Sequence, residues 1–226
     1  DYRTIVLAPA SVQELADMTA SAFDLADTYR TPVIVLADGV LGQMMEPVRI
    51  PAPRKEGERD LDYILTGAKG RPCRAIHSFR MDPADQEEHN WKLMRKYKLI
   101  EQREVRYETF LLDDAQLAVI AYGTAARIAK GAIKRMRKEN MKVGMIRPMT
   151  LWPFPAQIIK DTAKHIRDFF VFEMSAGQMI EDVKLALEGK GTVHFYGRPG
   201  GVLPAPIELY RIITRHYLQS QRKRKT

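Results

Sequence analysis

The sequence predicts an α/β protein with two blocks of parallel sheet separated by an irregular middle. Three observations support this. Strand-sized apolar runs recur at residues 5–8, 33–37, 116–122, 142–146, 168–173 and 193–196. Segments with apolar residues at helical spacing stand between them, and the alternation of strand and helix is the mark of parallel sheets. The runs are near-continuous rather than alternating, which suits strands covered on both faces.

The first block is strand, helix, strand. Ile5-Val-Leu-Ala ends at Pro9, and Ser11 then stands as a helix N-cap with Glu14 at the third helical position. Leu15, Met18, Ala22, Leu25 and Ala26 recur at helical spacing up to Tyr29, and Thr31-Pro32 closes that helix ahead of the run at 33–37. One βαβ unit with a single strand pair cannot bury itself. The block is therefore expected to complete its sheet with residues outside the sequence or with a partner. The sequence also starts at Asp1 rather than Met and enters a strand within three residues, so it reads as cut from a longer chain.

Regularity falls between 44 and 102. Prolines 47, 51, 53, 72 and 83 and glycines 57, 67 and 70 describe a surface excursion, followed by a polar helix over 83–103. Along it, Lys92, Arg95, Lys96 and Lys98 are interspersed with Glu87, Glu88, Glu101 and Glu104. The pattern reads as a solvated, salt-bridged face ahead of a phosphate-binding one.

The second block is cleaner. A strand at 116–122 meets Gly123-Thr124 as a turn and N-cap, a helix follows over 125–138, and the next strand lies at 142–146. Arg147-Pro148 ends it, and a helix over 153–166 leads to the strand at 168–173. Ser175-Ala-Gly177 opens a helix through 187, a short strand lies at 193–196, and a terminal helix spans 206–219. This is an open parallel α/β domain of roughly 110 residues with right-handed crossovers.

Composition narrows the function. The 226 residues are 45% hydrophobic and 28% charged, which excludes a disordered chain, and no apolar run reaches the length of a membrane span. A single cysteine, Cys73, excludes an internal disulfide, a cysteine-based zinc site and an iron–sulfur cluster held by these residues alone, and points to a reducing cytoplasm. A net charge of +8 invites a nucleic-acid reading. Lys130, Lys134, Arg135, Arg137 and Lys138 on one helix and the terminal Arg222-Lys-Arg-Lys carry much of it, yet no aromatic RNA-binding motif accompanies them. The alternative is a positive field that attracts acidic protein partners.

In an open parallel sheet, ligands bind beyond the carboxyl ends of the strands, where helix N-termini present free N–H groups. The segments placed there are Gly123-Thr124, Arg147-Pro-Met-Thr150, Glu173-Met-Ser-Ala-Gly177-Gln178 and Gly197-Arg198-Pro-Gly200-Gly201. From these come the candidate ligand-edge or interface residues Gly123, Thr124, Glu173, Gly177, Gln178, Arg198, Gly200 and Gly201. No dinucleotide fingerprint, P-loop, nucleophile elbow or metal spacing of the five histidines occurs. His194, inside a strand, reads as a core or edge residue. Asp38 and Glu46 are carboxylates near the crevice, with surface or capping roles equally open. No residue is assigned as catalytic and none as a metal ligand.

Five collinear strings carry a family resemblance: 29–44 (Tyr29 through Asp38-Gly39 to Met44), 118–127, 146–155, 170–179 and 196–201. Together they resemble the α subunit of 2-oxoacid:ferredoxin oxidoreductases of the 2-oxoglutarate and 2-oxoisovalerate type. The resemblance implies a partial pyrimidine-binding-type parallel sheet at 1–50, an irregular connection with a polar helix at 51–113, a transketolase C-terminal-like domain at 114–219 and a basic tail at 220–226. It implies oxidative decarboxylation of a 2-oxoacid to acyl-CoA, with two electrons passed to ferredoxin. Thiamine diphosphate, Mg2+ and a [4Fe-4S] cluster are then expected mainly on partner chains, with coenzyme A as co-substrate and no cofactor bound by this chain alone. The implied partners are a β subunit, γ and ferredoxin-like δ subunits, and ferredoxin. The family's activating glutamate and substrate-contacting segment have no match here and would lie upstream of Asp1. A non-catalytic assembly module of the same ancestry and a basic nucleic-acid-binding protein are the competing readings.

Overall fold

The computed structural model describes residues 2–50, 63–65 and 67–223. Prolines 51 and 53 and Gly57 of the irregular middle, and Arg224 and Lys225 of the basic tail, lie outside the described residues. No helix among the described residues is long and apolar enough to cross a membrane.

In the first block β1 (Ile5–Leu7), α1 (Val12–Tyr29) and β2 (Val33–Val35) form the expected parallel unit, with Ile5 opposite Val33 and Leu7 opposite Val35. The Ser11 hydroxyl accepts a 3.1 Å bond from the Glu14 amide, as its position before the helix predicts. A short helix, α2 (Gly39–Gln43), follows, too brief for periodicity to reveal. The polar helix is α3 (Pro83–Arg103). The Asp82 carboxylate caps it by accepting from the amides of Ala84 and Asp85, and Pro83 begins it. One side of α3 is core: Tyr97 and Ile100 are buried with Ile5, Leu7, Met18, Leu25 and Tyr29.

The remaining elements are β3 (Tyr107–Phe110), β4 (Leu117–Ile120), α4 (Gly123–Lys138), β5 (Val143–Pro148), β6 (Thr150–Trp152), α5 (Ala156–Thr162), β7 (Asp168–Glu173), α6 (Met179–Leu187), β8 (Thr192–Gly197) and α7 (Pro206–Lys223). Two strands depart from the sequence expectation. β3 adds an antiparallel edge to the second sheet, with Tyr107 opposite Pro148. β6 leaves that sheet and pairs antiparallel with β1, Leu7 opposite Thr150, so the first block gains its third strand from within the chain. Three residues are too few for an apolar pattern to show, and Ala8 N donating to Met149 O at 2.8 Å fixes the handover. The first sheet runs β2-β1-β6. Among the described residues one face is covered: Val33 and Val35 pack on the α1–α3 core, while Ile34 and Leu36 are 46% and 43% exposed.

The second sheet runs β3-β5-β4-β7-β8, parallel except for β3. Its strands feed two cores by alternation. Leu117, Val119, Phe170 and Phe172 face α4 and α7, and Ala118, Ile120, Phe169 and Val171 face α5 and α6. Gly144 in β5 is required by the crossing of 111–112 over the strand: a Cβ there would lie 2.5 Å from Leu111 O and 2.8 Å from Leu112 Cα. Both contacts are backbone and cannot swing away. Gly144→Ala should therefore lower stability by about 2 kcal/mol in a urea melt; an unchanged midpoint would show that the 111–112 segment yields freely.

Candidate functional site

The strand order defines where a ligand belongs. From β4 the chain moves outward to β5, then returns across β4 to place β7 on its other side. The order reverses between β4 and β7, and the crevice beyond their carboxyl ends is the switch point at which open α/β sheets bind ligands. A cavity of about 250 Å³ lies there. Tyr122, Gly123 and Ala125 follow β4, Met174 and Gln178 follow β7, and Leu36, Ala37 and Asp38 reach in from the end of β2. The two sheets thus present carboxyl ends to one space.

Asp38 ties the two blocks together. Its Oδ1 accepts from the Leu41 amide at 2.9 Å and caps α2. The same carboxylate accepts from the Thr124 amide at 3.1 Å and the Thr124 hydroxyl at 2.9 Å. The sequence expectation of Thr124 as a cap is corrected here. The helix already begins at Gly123, and the capping oxygen comes from Asp38 on another element. Gly123 has φ +57, and a Cβ on it would lie 3.3 Å from Asp38 Oδ2, so glycine serves both the turn and the close approach. Asp38→Ala should cost about 1–2 kcal/mol, the size of a lost cap, whereas Asp38→Asn, which keeps an acceptor, should cost less. Equal losses would mean that charge rather than the hydrogen bonds holds this contact.

Glu173 is fully buried at the end of β7. Its Oε2 accepts from the Ser175 hydroxyl at 2.9 Å and the amides of Gln178 (3.1 Å) and Met179 (2.9 Å), and its Oε1 accepts from Ile180 N at 2.9 Å. The amides at the start of α6 are thereby capped by the carboxylate at the end of the preceding strand, β7. Several of the helix N–H groups expected to be free in this crevice are taken: Asp38 accepts from the Thr124 amide at the start of α4, and Glu173 from three amides at the start of α6, so two anions stand near the places a phosphate would take. Burial, followed by the negative charges of Glu173 and Asp38, raises the Tyr122 phenol above its ordinary value, which keeps it a neutral hydrogen-bond donor. The crevice suits an uncharged or cationic group held between apolar walls, a phenol and the Gln178 carboxamide.

Gly123 and Gln178 line this cavity, and Thr124 braces it through Asp38. Gly177 holds the turn ahead of α6 with φ +112. The other three candidates stand apart. The Arg198 guanidinium is directed to Glu208 at 2.9 Å and to the Tyr196 hydroxyl at 3.2 Å, and Gly200 and Gly201 sit in open turns after β8. His194 lies in the edge strand β8, its ring 4.5 Å from that of His216. Sequence reasoning missed Tyr122 and Met174, whose apolar character is that of any strand end.

Charged pairs brace the crevice from behind. Arg147, buried in β5, donates two parallel 2.8 Å bonds to Glu14 of α1 and one of 2.8 Å to Glu108 of β3. Glu46 takes 2.7 Å from Arg127 and 3.1 Å from the Val12 amide, and these two bonds hold its carboxyl below the ordinary range. Both carboxylates with open roles in the sequence, Asp38 and Glu46, are therefore inter-element caps.

Among the described residues no group of three or more His, Cys, Asp or Glu side chains is arranged to hold a metal ion. With carboxylates at the starts of both α4 and α6, the switch-point crevice does not fit a diphosphate–Mg2+ group.

Comparison with known proteins agrees with the architecture. Residues 1–108 match the family model for pyruvate flavodoxin/ferredoxin oxidoreductase, thiamine diphosphate-binding, and residues 115–209 match pyruvate:ferredoxin oxidoreductase core domain II. Ketoisovalerate oxidoreductase subunit VorB of Methanothermobacter marburgensis is 45% identical over 213 residues, which cover 94% of this chain and 59% of that protein. The 2-oxoglutarate synthase subunit KorA of the same organism is 32% identical over 235 residues, covering 92% and 63%. Among solved structures, 2-oxoglutarate:ferredoxin oxidoreductase from Magnetococcus marinus, with 2-oxoglutarate, coenzyme A and succinyl-CoA bound, superposes with a TM-score of 0.70 at 21% identity, over 95% of this chain and 42% of that one. The chain thus spans about three-fifths of the length of these curated relatives. With two consecutive family domains that together account for most of its length, the chain belongs to the 2-oxoacid:ferredoxin oxidoreductase family.

Proposed function

We propose that the chain serves as the α-type subunit of an enzyme that oxidatively decarboxylates a 2-oxoacid to acyl-CoA and carbon dioxide, passing two electrons to ferredoxin in the cytoplasm. The observation that carries this reading is the succession of the two family domains along one chain. The higher identity to the ketoisovalerate subunit, 45% against 32% for the 2-oxoglutarate one, favours a branched-chain 2-oxoacid.

Thiamine diphosphate, when bound in such an enzyme, supplies carbanion stabilisation. The carboxylates in the switch-point crevice and the single cysteine support assigning its diphosphate, Mg2+ and the [4Fe-4S] cluster to a β subunit, with γ and ferredoxin-like δ chains as further partners. On this reading the first block belongs to a pyrimidine-binding-type domain and the second sheet to a transketolase C-terminal-like one. The switch-point crevice contributes walls: Leu36 and Met174 exclude water, while the Tyr122 hydroxyl and the Gln178 carboxamide orient an uncharged part of a ligand or partner chain. Gly123, Thr124, Glu173 and Gly177 hold those walls in place, and Arg198, Gly200 and Gly201 form a separate contact edge.

The test is anaerobic co-expression with the neighbouring subunits, followed by viologen reduction with 3-methyl-2-oxobutanoate, 2-oxoglutarate, pyruvate and phenylglyoxylate. The expected result is coenzyme A-dependent reduction with the highest kcat/KM for the branched substrate. Preference for 2-oxoglutarate would overturn the substrate assignment. A complex that contains thiamine and iron yet reduces nothing with any 2-oxoacid would overturn the activity.

A further inference from the structure

The polar helix α3 does not carry the salt-bridged face that its sequence suggests. Glu101 pairs with Arg3 at 2.8 Å, and Glu104 accepts from the Tyr29 hydroxyl at 2.6 Å and pairs with Arg106 at 3.3 Å. Lys92, Arg95, Lys96 and Arg103 instead share one face of the helix at spacings of three, four and eleven residues, and Arg30 at the end of α1 joins them. Among the described residues none of these five cations has a carboxylate within 4.0 Å.

The five surround a cleft of about 640 Å³ whose floor includes Leu93 and Leu99. That volume falls in the range of sites for small organic ligands. Burial, then the charges of Arg30 and Lys92, lowers the Lys96 ammonium below its ordinary value, as expected where, among the described residues, like charges stand together. A nucleic acid would need a stripe tracking along a surface, with aromatic platforms. A concave cleft with cations at its rim and an apolar floor fits a compact polyanion with an organic end.

We propose that this cleft between α1 and α3 binds a small polyphosphate anion of nucleotide type, its linked phosphates on Lys92, Arg95, Lys96 and Arg103 and its apolar part over Leu93 and Leu99. The site is distinct from the switch-point crevice, where Asp38 and Glu173 repel phosphate, and the inference stands independently of the proposed reaction.

The test is calorimetric titration of the assembled complex containing the full chain, near physiological ionic strength, with tripolyphosphate, ADP and, for comparison, sulfate. Tripolyphosphate and ADP should both bind more tightly than sulfate. ADP binding tighter than expected for its two phosphates would show that the apolar floor is used. The Lys92→Gln/Lys96→Gln double variant should weaken both by about tenfold or more, the scale of lost charge-assisted hydrogen bonds, and Lys98→Gln, which does not line the cleft, should have a much smaller effect. Should the double variant fold poorly, the exposed Arg95→Gln and Arg103→Gln singles provide the same comparison. Equal affinity in all variants would place the phosphates elsewhere, and binding of single-stranded RNA or polyglutamate without tripolyphosphate binding would show a macromolecular surface; either result overturns the proposal.

Discussion

Arg147→Met should lower the unfolding free energy by about 2–3 kcal/mol, read as a drop in the urea midpoint of the full chain. The guanidinium is 4% exposed and donates three 2.8 Å bonds, two to Glu14 and one to Glu108. Methionine fills most of the volume but leaves Glu14 without its cation and Glu108 with Lys130 alone. Removing one partner of a fully buried pair costs about 3–5 kcal/mol. The figure is discounted here because Glu14 and Glu108 are 30% and 33% exposed and recover some hydration. Glu14→Gln should cost less, since its amide oxygen still accepts from Arg147. A double-mutant cycle should return a coupling of about 1 kcal/mol or more. Additive single losses would mean that Arg147 acts by packing alone.

The same pair sets an acid limb. Burial pushes the Glu108 carboxyl upward, but the hydrogen bond from Lys130 and the charge of Arg147 outweigh it, and the carboxyl ends below its ordinary 4.5. A pKa lowered by folding stabilises the protein above the unfolded value, and that stabilisation is lost as pH falls through the folded value. Stability should therefore decline below about pH 4.5, and Arg147→Met should flatten that decline. A variant with an unchanged acid slope would remove Arg147 from the account.

The second sheet was legible because β4, β5 and β7 are long enough to be buried runs and the helices between them carry apolar stripes. Leu117 to Ile120 is buried at every position, the burial expected of a central parallel strand. What escaped the sequence were elements whose signal is shorter than their period. β6 has three residues, α2 has five, and β3 alternates between exposed and half-buried positions. These are the pieces that join the two sheets, so the sequence shows no sign of the strand that β6 adds beside β1. The strand-end rule points to the space in which the fold forms a cavity, but the sequence does not show the two carboxylates that face it. No local pattern shows that Asp38 reaches the helix that begins 85 residues later, or that Glu173 turns back onto α6 rather than toward a ligand. On α3, charge alternation along the chain suggested neutralisation. The fold instead sends Glu101 and Glu104 to Arg3 and Tyr29, which leaves the cations together.

Glu173→Leu should cost about 3 kcal/mol or more, because the carboxylate accepts four hydrogen bonds in a site with no exposure. The Met179 and Ile180 amides are themselves buried and would be left without an acceptor, each at a cost of roughly 1–3 kcal/mol. Relief from burying a charge offsets part of that sum. Glu173→Gln separates charge from hydrogen bonding: its oxygen can keep the three bonds made by Oε2, while its amide group must face the Ile180 N–H. Amide exchange at Met179 and Ile180 should accelerate strongly in the leucine variant and chiefly at Ile180 in the glutamine one. Charge has its own readout. The Tyr122 phenol is raised first by burial and then by Glu173 and Asp38, so neutralising Glu173 should bring its ionisation down toward the ordinary value of 10.0 in an ultraviolet titration. An unmoved phenol alongside lost amide protection would confine Glu173 to capping α6. A phenol that moves in Glu173→Gln while the Met179 amide stays protected would show that the buried carboxylate sets the polarity of the crevice as well as its shape.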